Sequence, residues 1–298
     1  MVIHSHIHHH SHEEAVSENS IKLLLASFFI NILLSVVELV GGVIAGSVAL
    51  IGDALHNTSD ALSILIAVIA FKIGQHKATE KYTYGFKRAE IIGGFVNLVL
   101  LFVSGWYLLI EGVTRLIEPT FISGGVIIVV SVFALIVDAL TAKISHQHAA
   151  HNTNMKMVFL HNFVDAMGSV GVIISGLCVV WWQIYRIDGV IAVMIACYMI
   201  VQSILSFPNI VSILMNGAPK DVNLSEIKNE LLKIDGIDDV HHIHLWRIDE
   251  HECSLECHVI SSKDGVLVLI KKILSDQFNI HHCTIQIEKK CEDFECQL

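Results

Sequence analysis

Two short segments of the sequence repeat one pattern, a histidine followed four residues later by an aspartate. They are His56 with Asp60 and His161 with Asp165. Because an α-helix has 3.6 residues per turn, residues four apart lie on one face, so each helix presents an imidazole beside a carboxylate. Two such faces supply two nitrogen and two oxygen ligands, the tetrahedral set that Zn²⁺ accepts. The pattern predicts a metal site shared by two helices, open also to cobalt, cadmium or iron.

Both patterns lie within long apolar segments. A hydrocarbon core about 30 Å thick needs about 20 mostly apolar helical residues to cross it, and six segments qualify: 21–45, 48–73, 91–113, 122–144, 155–182 and 188–214. The basic residues within their spans, Lys72 and Lys156, stand 12 residues after Asp60 and nine residues before Asp165, and an unpaired carboxylate in a bilayer costs several kcal/mol. The alternative is that each Asp is protonated or hydrogen bonded to a neighbouring helix, but two identical pairs favour a metal.

Composition agrees with a membrane protein. The chain of 298 residues is 53% hydrophobic and 16% charged, against roughly 25% charged residues in an average soluble domain. The formal net charge of −10 disfavours a nucleic-acid partner and favours cations. Seven cysteines are an odd number, with five of them after position 250, so reduced thiols are expected rather than a disulfide framework.

Basic residues near the span ends predict the orientation. The connections after the second and fourth spans carry most of them, while the opposite side has Arg115 and Arg186. By the positive-inside rule both termini face the cytoplasm. The first twenty residues lack a basic n-region and a small-residue cleavage site, so no cleavable signal peptide is expected.

Three domains are predicted: a His-rich cytoplasmic segment at 1–20, a six-helix transmembrane domain at 21–216 and a cytoplasmic domain at 217–298. The last reads as helix, strand, strand, helix, strand, an αββαβ order that suits a small α+β ferredoxin-like domain. Along its first strand, simple alternation puts His241, Ile243 and Leu245 on the core face. His242 and His244 are then expected on the opposite face.

The sequence resembles the cation diffusion facilitator family of zinc and divalent-metal transporters over nearly its whole length. The resemblance rests on Glu38-Leu-Val-Gly-Gly42, Gly52-Asp-Ala-Leu-His56 leading to Asp60, Tyr84-Gly-Phe-Lys-Arg-Ala-Glu90, His161 to Asp165, and Val240-His-His-Ile-His-Leu-Trp246. It implies six helices, a homodimer, and metal exchanged for protons. It also implies transport ligands at His56, Asp60, His161 and Asp165, the two-histidine version associated with a preference for zinc.

Two departures from the family pattern limit what is expected. The connection from Thr79 to Phe86 offers Glu80 but no histidine, so the extra metal site of some bacterial members is not expected there. Asn216 stands about where other members have an acid that pairs with a basic residue near Arg88. That dimer interlock is therefore not expected.

Further metal sites are predicted in the cytoplasmic parts. By family position His241 and His258 bind a regulatory metal between subunits, with Glu288 as a further ligand; polar histidines at a wet dimer face are the equal alternative. Cys291 and Cys296 resemble the terminal cysteine pair of animal vesicular zinc transporters, at a spacing wider than a compact zinc knuckle. Two more histidine groups are expected to collect metal: His4, His6, His8, His9, His10 and His12, and His146, His148 and His151.

Five other polar residues lie in or near the spans: Glu38, Asp53, Asn97, Glu111 and Asp138. None of the acids has a ligand partner four residues on, so helix packing, support of the ligands or proton movement is expected of them.

The predicted function is a zinc efflux transporter that exchanges cytosolic Zn²⁺ for protons. An intramembrane metalloenzyme is the first alternative, and it needs an open coordination position and a nearby general base. A zinc sensor without transport is the second. A bacterial inner membrane is the expected location, with a vesicle membrane as the alternative.

Overall fold

The structure, a computed structural model, describes residues 18–74, 76–149, 153–249 and 252–289, with side chains omitted within 18–24, at 71 and within 144–161. Six helices in this part of the chain are long and apolar enough to cross a membrane, which confirms the six-helix prediction. Large apolar side chains on them face outward, as lipid contact requires. The helices are α1 (Glu18–Ala45), α2 (Val48–Gly74), α3 (Ala89–Ile117), α4 (Gly124–Ala149), α5 (Thr153–Trp182) and α6 (Arg186–Leu214).

The six helices pack mainly as pairs. Helix α4 runs along α5, α3 along α6, and α1 along α2, whereas α2 and α5 touch each other only briefly. Small residues allow the close approaches, as expected for helices in lipid. At Gly41 of α1, a Cβ would lie 2.7 Å from the side chain of Val130 on α4.

Helix α2 begins at a carboxylate supplied by α6. Asp188, which is 1% exposed, accepts hydrogen bonds from the Ser47 hydroxyl, from the Val48 N–H at 2.7 Å and from the Ala49 N–H at 3.4 Å. The first N–H groups of a helix have no partner within it, and a negative charge there also complements the helix dipole. The contact therefore fixes the start of α2 against the start of α6.

The domain after α6 contains α7 (Leu224–Leu232), β1 (Ile237–Arg247), β2 (Cys253–Ser261), α8 (Val266–Phe278) and β3 (His282–Glu288). Strand β2 is central, antiparallel to β1 and parallel to β3. Apolar residues of both helices form one core with Val240, Leu255, Cys257 and Val259 of the sheet. The αββαβ prediction is confirmed, and the helices cover one sheet face.

Strand β1 departs from simple alternation. His241 pairs with His258 and His244 pairs with Glu256, so β1 has one more residue than β2 between these pairs. The extra residue forms a β-bulge, and His242 has a φ of 51° there. The expectation that His241 shares the core face with Leu245 is wrong, because the bulge shifts the alternation between them. Val240 and Leu245 are the buried positions instead.

The sheet domain contacts the loop between α2 and α3 through two polar pairs. Lys87 forms an ion pair with Glu252, next to the start of β2. Arg88 donates a hydrogen bond to the side-chain oxygen of Asn216, just after α6. Asn216 thus contacts the basic loop although it cannot form the ion pair that an acid would give.

Candidate metal centres

The two transmembrane helices that carry the repeated pattern bring three of its four residues together. The Nε2 atom of His56 lies 3.5 Å from a carboxylate oxygen of Asp60 and 3.3 Å from one of Asp165. Asp60 belongs to the same helix face, one turn along α2, while Asp165 comes from α5. One ligand atom from each of the three residues lies within 4.8 Å of the others, so a single cation can contact all three.

The fourth predicted ligand belongs to α5. His161 lies within that helix, one turn before Asp165, but its side chain is outside the described residues. Residues four apart on a helix share a face, so its participation stays a prediction.

Burial makes this cluster a favourable place for a cation. The side chains of His56 and Asp165 are each 10% exposed and that of Asp60 is 22% exposed. Two carboxylates this close to one imidazole repel each other strongly where water is largely excluded, and a divalent cation between them offsets both charges. The His56 ring also meets the edge of Tyr198 on α6, with ring centroids 5.5 Å apart. No pattern in the sequence places Tyr198 at this site.

The other polar residues of α2 connect it to its neighbours. Asn57 donates a hydrogen bond of 2.8 Å to Glu38 on α1, and Ser59 donates one of 3.3 Å to Asn97 on α3. In the second helix pair, Ser169 of α5 donates to Asp138 of α4 at 3.0 Å. These contacts agree with the expectation that the buried acids outside the repeated pattern support helix packing.

The cluster lies on a seam between two sets of helices. Polar contacts join α2 to α1, α3 and α6, and Asp138 joins α4 to α5. Direct contact between α2 and α5 is sparse. A cation held by His56, Asp60 and Asp165 would therefore bridge α2 and α5 where these two helices touch each other only briefly.

A second cluster lies on the sheet face that α7 and α8 leave open. Glu288 of β3 places one carboxylate oxygen 3.0 Å from Nδ1 of His258 and the other 3.7 Å from Nε2 of His241. All three side chains are 12% exposed. Within the described residues, neither His241 Nε2 nor that second Glu288 oxygen has a hydrogen-bond partner. Two buried polar atoms that face each other unpaired suit a metal ion between them.

Asp239, which the sequence analysis missed, orients one of these histidines. Its carboxylate lies 3.2 Å from Nδ1 of His241 and 3.3 Å from the Lys228 ammonium. Partial burial pushes the pKa of Asp239 up, but hydrogen bonds from Lys228 and the Val240 N–H and the nearby His241 hold that pKa below its ordinary value. An ionised Asp239 accepts the Nδ1–H, which directs the Nε2 lone pair toward Glu288. The Asp-x-His spacing is the sequence feature that reveals it.

Several predicted ligands fall outside the described residues: Cys291, Cys296, the N-terminal histidines at 4–12, and the side chains of His146, His148 and His151. The described cysteines are free. Among them, burial raises the pKa of Cys257 to about 12, so its thiol stays protonated and is a poor ligand.

Two known protein families match the two parts of the chain. The family described as "Cation efflux transmembrane domain" matches residues 24–215. The family described as "Cation efflux protein, cytoplasmic domain" matches residues 219–290.

Similar proteins come from bacteria and from an animal. The chain is 32% identical over 288 residues to the metal cation efflux system protein CzcD of Cupriavidus metallidurans, covering 94% of this chain and 89% of that one. It is 30% identical over 300 residues to the zinc transporter ZitB of Escherichia coli, covering 99% and 96%. The mouse proton-coupled zinc antiporter SLC30A2 is 27% identical over 308 residues, covering 96% and 83%.

A solved structure, the metal-bound C-terminal domain of the CzcD transporter, is 33% identical to the chain. It covers 22% of this chain and 99% of that one, with a TM-score of 0.22.

Proposed function

Because the chain belongs to the cation efflux family, whose members are transporters and not enzymes, we propose that it exports zinc from the cytosol in exchange for protons. The observation that supports this most directly is the convergence of His56, Asp60 and Asp165 on one point between α2 and α5. Relatives named zinc transporter and zinc antiporter support zinc as the cargo. Bacterial relatives of similar length support a bacterial inner membrane as the location.

Proton exchange follows from the charge of the site. With neutral histidines, the empty four-residue site carries two negative charges in a largely dry environment, which is costly. Zn²⁺ removes that cost when it binds, and protons remove it when the metal leaves. Metal and protons therefore compete for one set of atoms.

Exposure of the site to alternate sides requires the ligands to separate. Helices α2 and α5, which carry the ligands, contact each other sparsely, so their ligands can move apart without breaking extensive contact between these two helices. With His161 as the fourth ligand, a tetrahedral zinc has no open coordination position, whereas an intramembrane metalloenzyme needs one for its substrate.

The cytoplasmic cluster of His241, His258 and Glu288 is proposed to bind a regulatory metal. It lies on an open sheet face, and the matched cytoplasmic family supports pairing of two chains as a homodimer. Metal there would stabilise the sheet domain and its pairing by mass action. This gives the domain at 217–298, here called the tail, a sensing role within a transporter.

Reconstitution into liposomes tests the transport proposal. Vesicles hold a zinc-sensitive dye and, in a parallel sample, a pH-sensitive dye. Copies inserted with their cytoplasmic side facing the external solution should move added zinc into the vesicle and protons out of it. Collapse of the pH gradient across the vesicle membrane should slow this zinc entry. Zinc entry with no proton movement would overturn the exchange, and no zinc entry would overturn zinc transport.

Two variants make the test specific. Asp165→Asn keeps the side-chain shape but removes a site charge, and it should abolish both dye responses. Glu111→Gln removes a charge in α3 that is paired with Arg115 at 3.3 Å, and it should retain them. Equal activity in both variants would place the cargo site elsewhere.

A further inference from the structure

The bulge in β1 creates a pair of histidines that the three-residue tail cluster does not use. His242 is the bulged residue, with a φ of 51°, and His244 resumes the ladder opposite Glu256. Neither ring belongs to the cluster of His241, His258 and Glu288. The rings nevertheless meet, with centroids 4.5 Å apart.

The two imidazoles approach through the same kind of atom. The Nε2 atom of His242 lies 3.2 Å from the Nε2 atom of His244. Two nitrogens bound to one zinc at 2.0 to 2.1 Å in tetrahedral geometry are about 3.4 Å apart. The observed separation is therefore close to the spacing that a single metal ion requires.

A hydrogen bond between two neutral imidazoles is the other arrangement that gives this distance. Within the described residues, the Nδ1 atom of His242 makes no hydrogen bond. No hydrogen bond on the far side of the ring therefore accounts for the position of its Nε2 atom beside His244. The open side of the pair is accessible, because His244 is exposed.

We propose that His242 and His244 form a second metal site on the tail, with its remaining coordination positions filled by water. A pair of nitrogen donors selects borderline ions such as Zn²⁺, Cu²⁺ and Ni²⁺ over Mn²⁺ and Mg²⁺, which prefer oxygen. With only two protein ligands, the site exchanges its ion readily. It accepts and releases metal at the tail surface.

The second site borders the first. The His242 ring packs against His258, with centroids 4.7 Å apart and planes inclined by 32°, and His258 contacts Glu288. Two dications this close repel each other. The His242–His244 pair therefore fills after the Glu288 cluster as zinc concentration rises.

Equilibrium dialysis with zinc tests the proposal on the full-length protein. The parent carries serine at the six N-terminal histidines, which lowers background binding, and each result is a difference from this parent. His244→Gln should bind one zinc fewer per protomer, and the zinc that is lost should be the more weakly bound one. Glu288→Gln should lose a different, tighter zinc, and the double variant should lose both. His281→Gln changes an exposed histidine that contacts Asn279, and it should lose none.

Electron paramagnetic resonance of added Cu²⁺ supplies a second measurement. The signal lost on His244→Gln should show hyperfine splitting from two imidazole nitrogens. Unchanged zinc number and affinity in His244→Gln, with no copper signal lost, would leave the pair as a hydrogen bond and overturn the proposal. Loss of both zinc ions in either single variant, with β1 and β2 amides still protected from exchange, would show one site and also overturn it. These experiments measure metal binding, so a failure of zinc transport would not affect their outcome.

Discussion

The membrane and tail clusters use the same two ligand chemistries in different mechanical settings. In the membrane, His56 and Asp60 belong to α2 while Asp165 belongs to α5, and these helices touch sparsely. In the tail, His241, His258 and Glu288 belong to three neighbouring strands of one hydrogen-bonded sheet. Ligands on separately packed helices can part to release an ion. Ligands fixed on one sheet would hold the ion, and its binding would raise the stability of the sheet domain.

Charge separates the two clusters further. The membrane cluster has two carboxylates around one described imidazole, whereas the tail cluster has one carboxylate for two imidazoles. On the proposed exchange mechanism, an ion offsets more negative charge in the membrane cluster, so its loss there would require a compensating proton. The tail cluster would need less compensation, because it has a single carboxylate.

The largest expected effect comes from removing one carboxylate from each cluster. Asp60→Asn should reduce zinc flux in liposomes at least 100-fold, because the cation loses a partner where water cannot replace it. Glu288→Gln removes the same kind of group from the tail and should leave maximal flux within about threefold. Equal losses in the two variants would end the functional distinction between the clusters.

The second prediction concerns stability of the tail. Zinc at a hundredfold excess over its dissociation constant should stabilise the sheet domain by about 2.7 kcal/mol, measured as slower amide exchange in β1 and β2 of the full-length protein. His241→Ala with His258→Ala should remove this protection. Persistence of full zinc protection in the double variant would show that these histidines do not bind the ion.

A third prediction addresses selectivity in the membrane cluster. His56→Asp exchanges a borderline nitrogen for a hard oxygen, so competition by manganese for zinc flux should increase by about tenfold. The corresponding His258→Asp change in the tail should leave flux selectivity unaltered. Unchanged competition in the His56 variant would argue that His56 does not touch the cargo.

The smallest expected effect tests the orienting role of Asp239. Asp239→Ala should weaken zinc binding at the tail about tenfold, because His241 loses the acceptor that fixes its ring. The parent carboxylate has a lowered pKa, so it should stay ionised at both pH 5.5 and pH 7.5, and its contribution should fade only in more acidic solution as pH falls through that lowered value. Zinc titration of both proteins at pH 5.5 and 7.5 checks this: the ratio of their affinities should be the same at both values.

The sequence predicts the helical framework well because its physical basis is local. Long apolar runs specify spans, and a four-residue interval places His56 and Asp60 on one face whatever surrounds them. The family resemblance adds the tail cluster of His241, His258 and Glu288, whose residues lie far apart in the chain.

What the sequence misses depends on contacts between distant elements. Tyr198 meets His56 only because α6 packs beside α2, and no spacing along the chain reveals that. The bulge at His242 arises where β1 and β2 must pair with unequal residue numbers, which simple alternation cannot express. The His242–His244 contact follows from that local irregularity.

The Asp188 cap fixes the start of α2 to α6, so a rocking of α2 together with α1 and α3 would pivot near that end. His56 lies eight residues from Val48, about 12 Å along the axis, and Lys72 lies 24 residues from it, about 36 Å. A tilt of 10° about the cap would displace His56 by about 2 Å, the length of one metal–ligand bond. The same tilt would carry the Lys72 end about 6 Å. A small angular change at one pivot would thus combine a displacement of one bond length at the ligands with a threefold larger one at the far end of the helix.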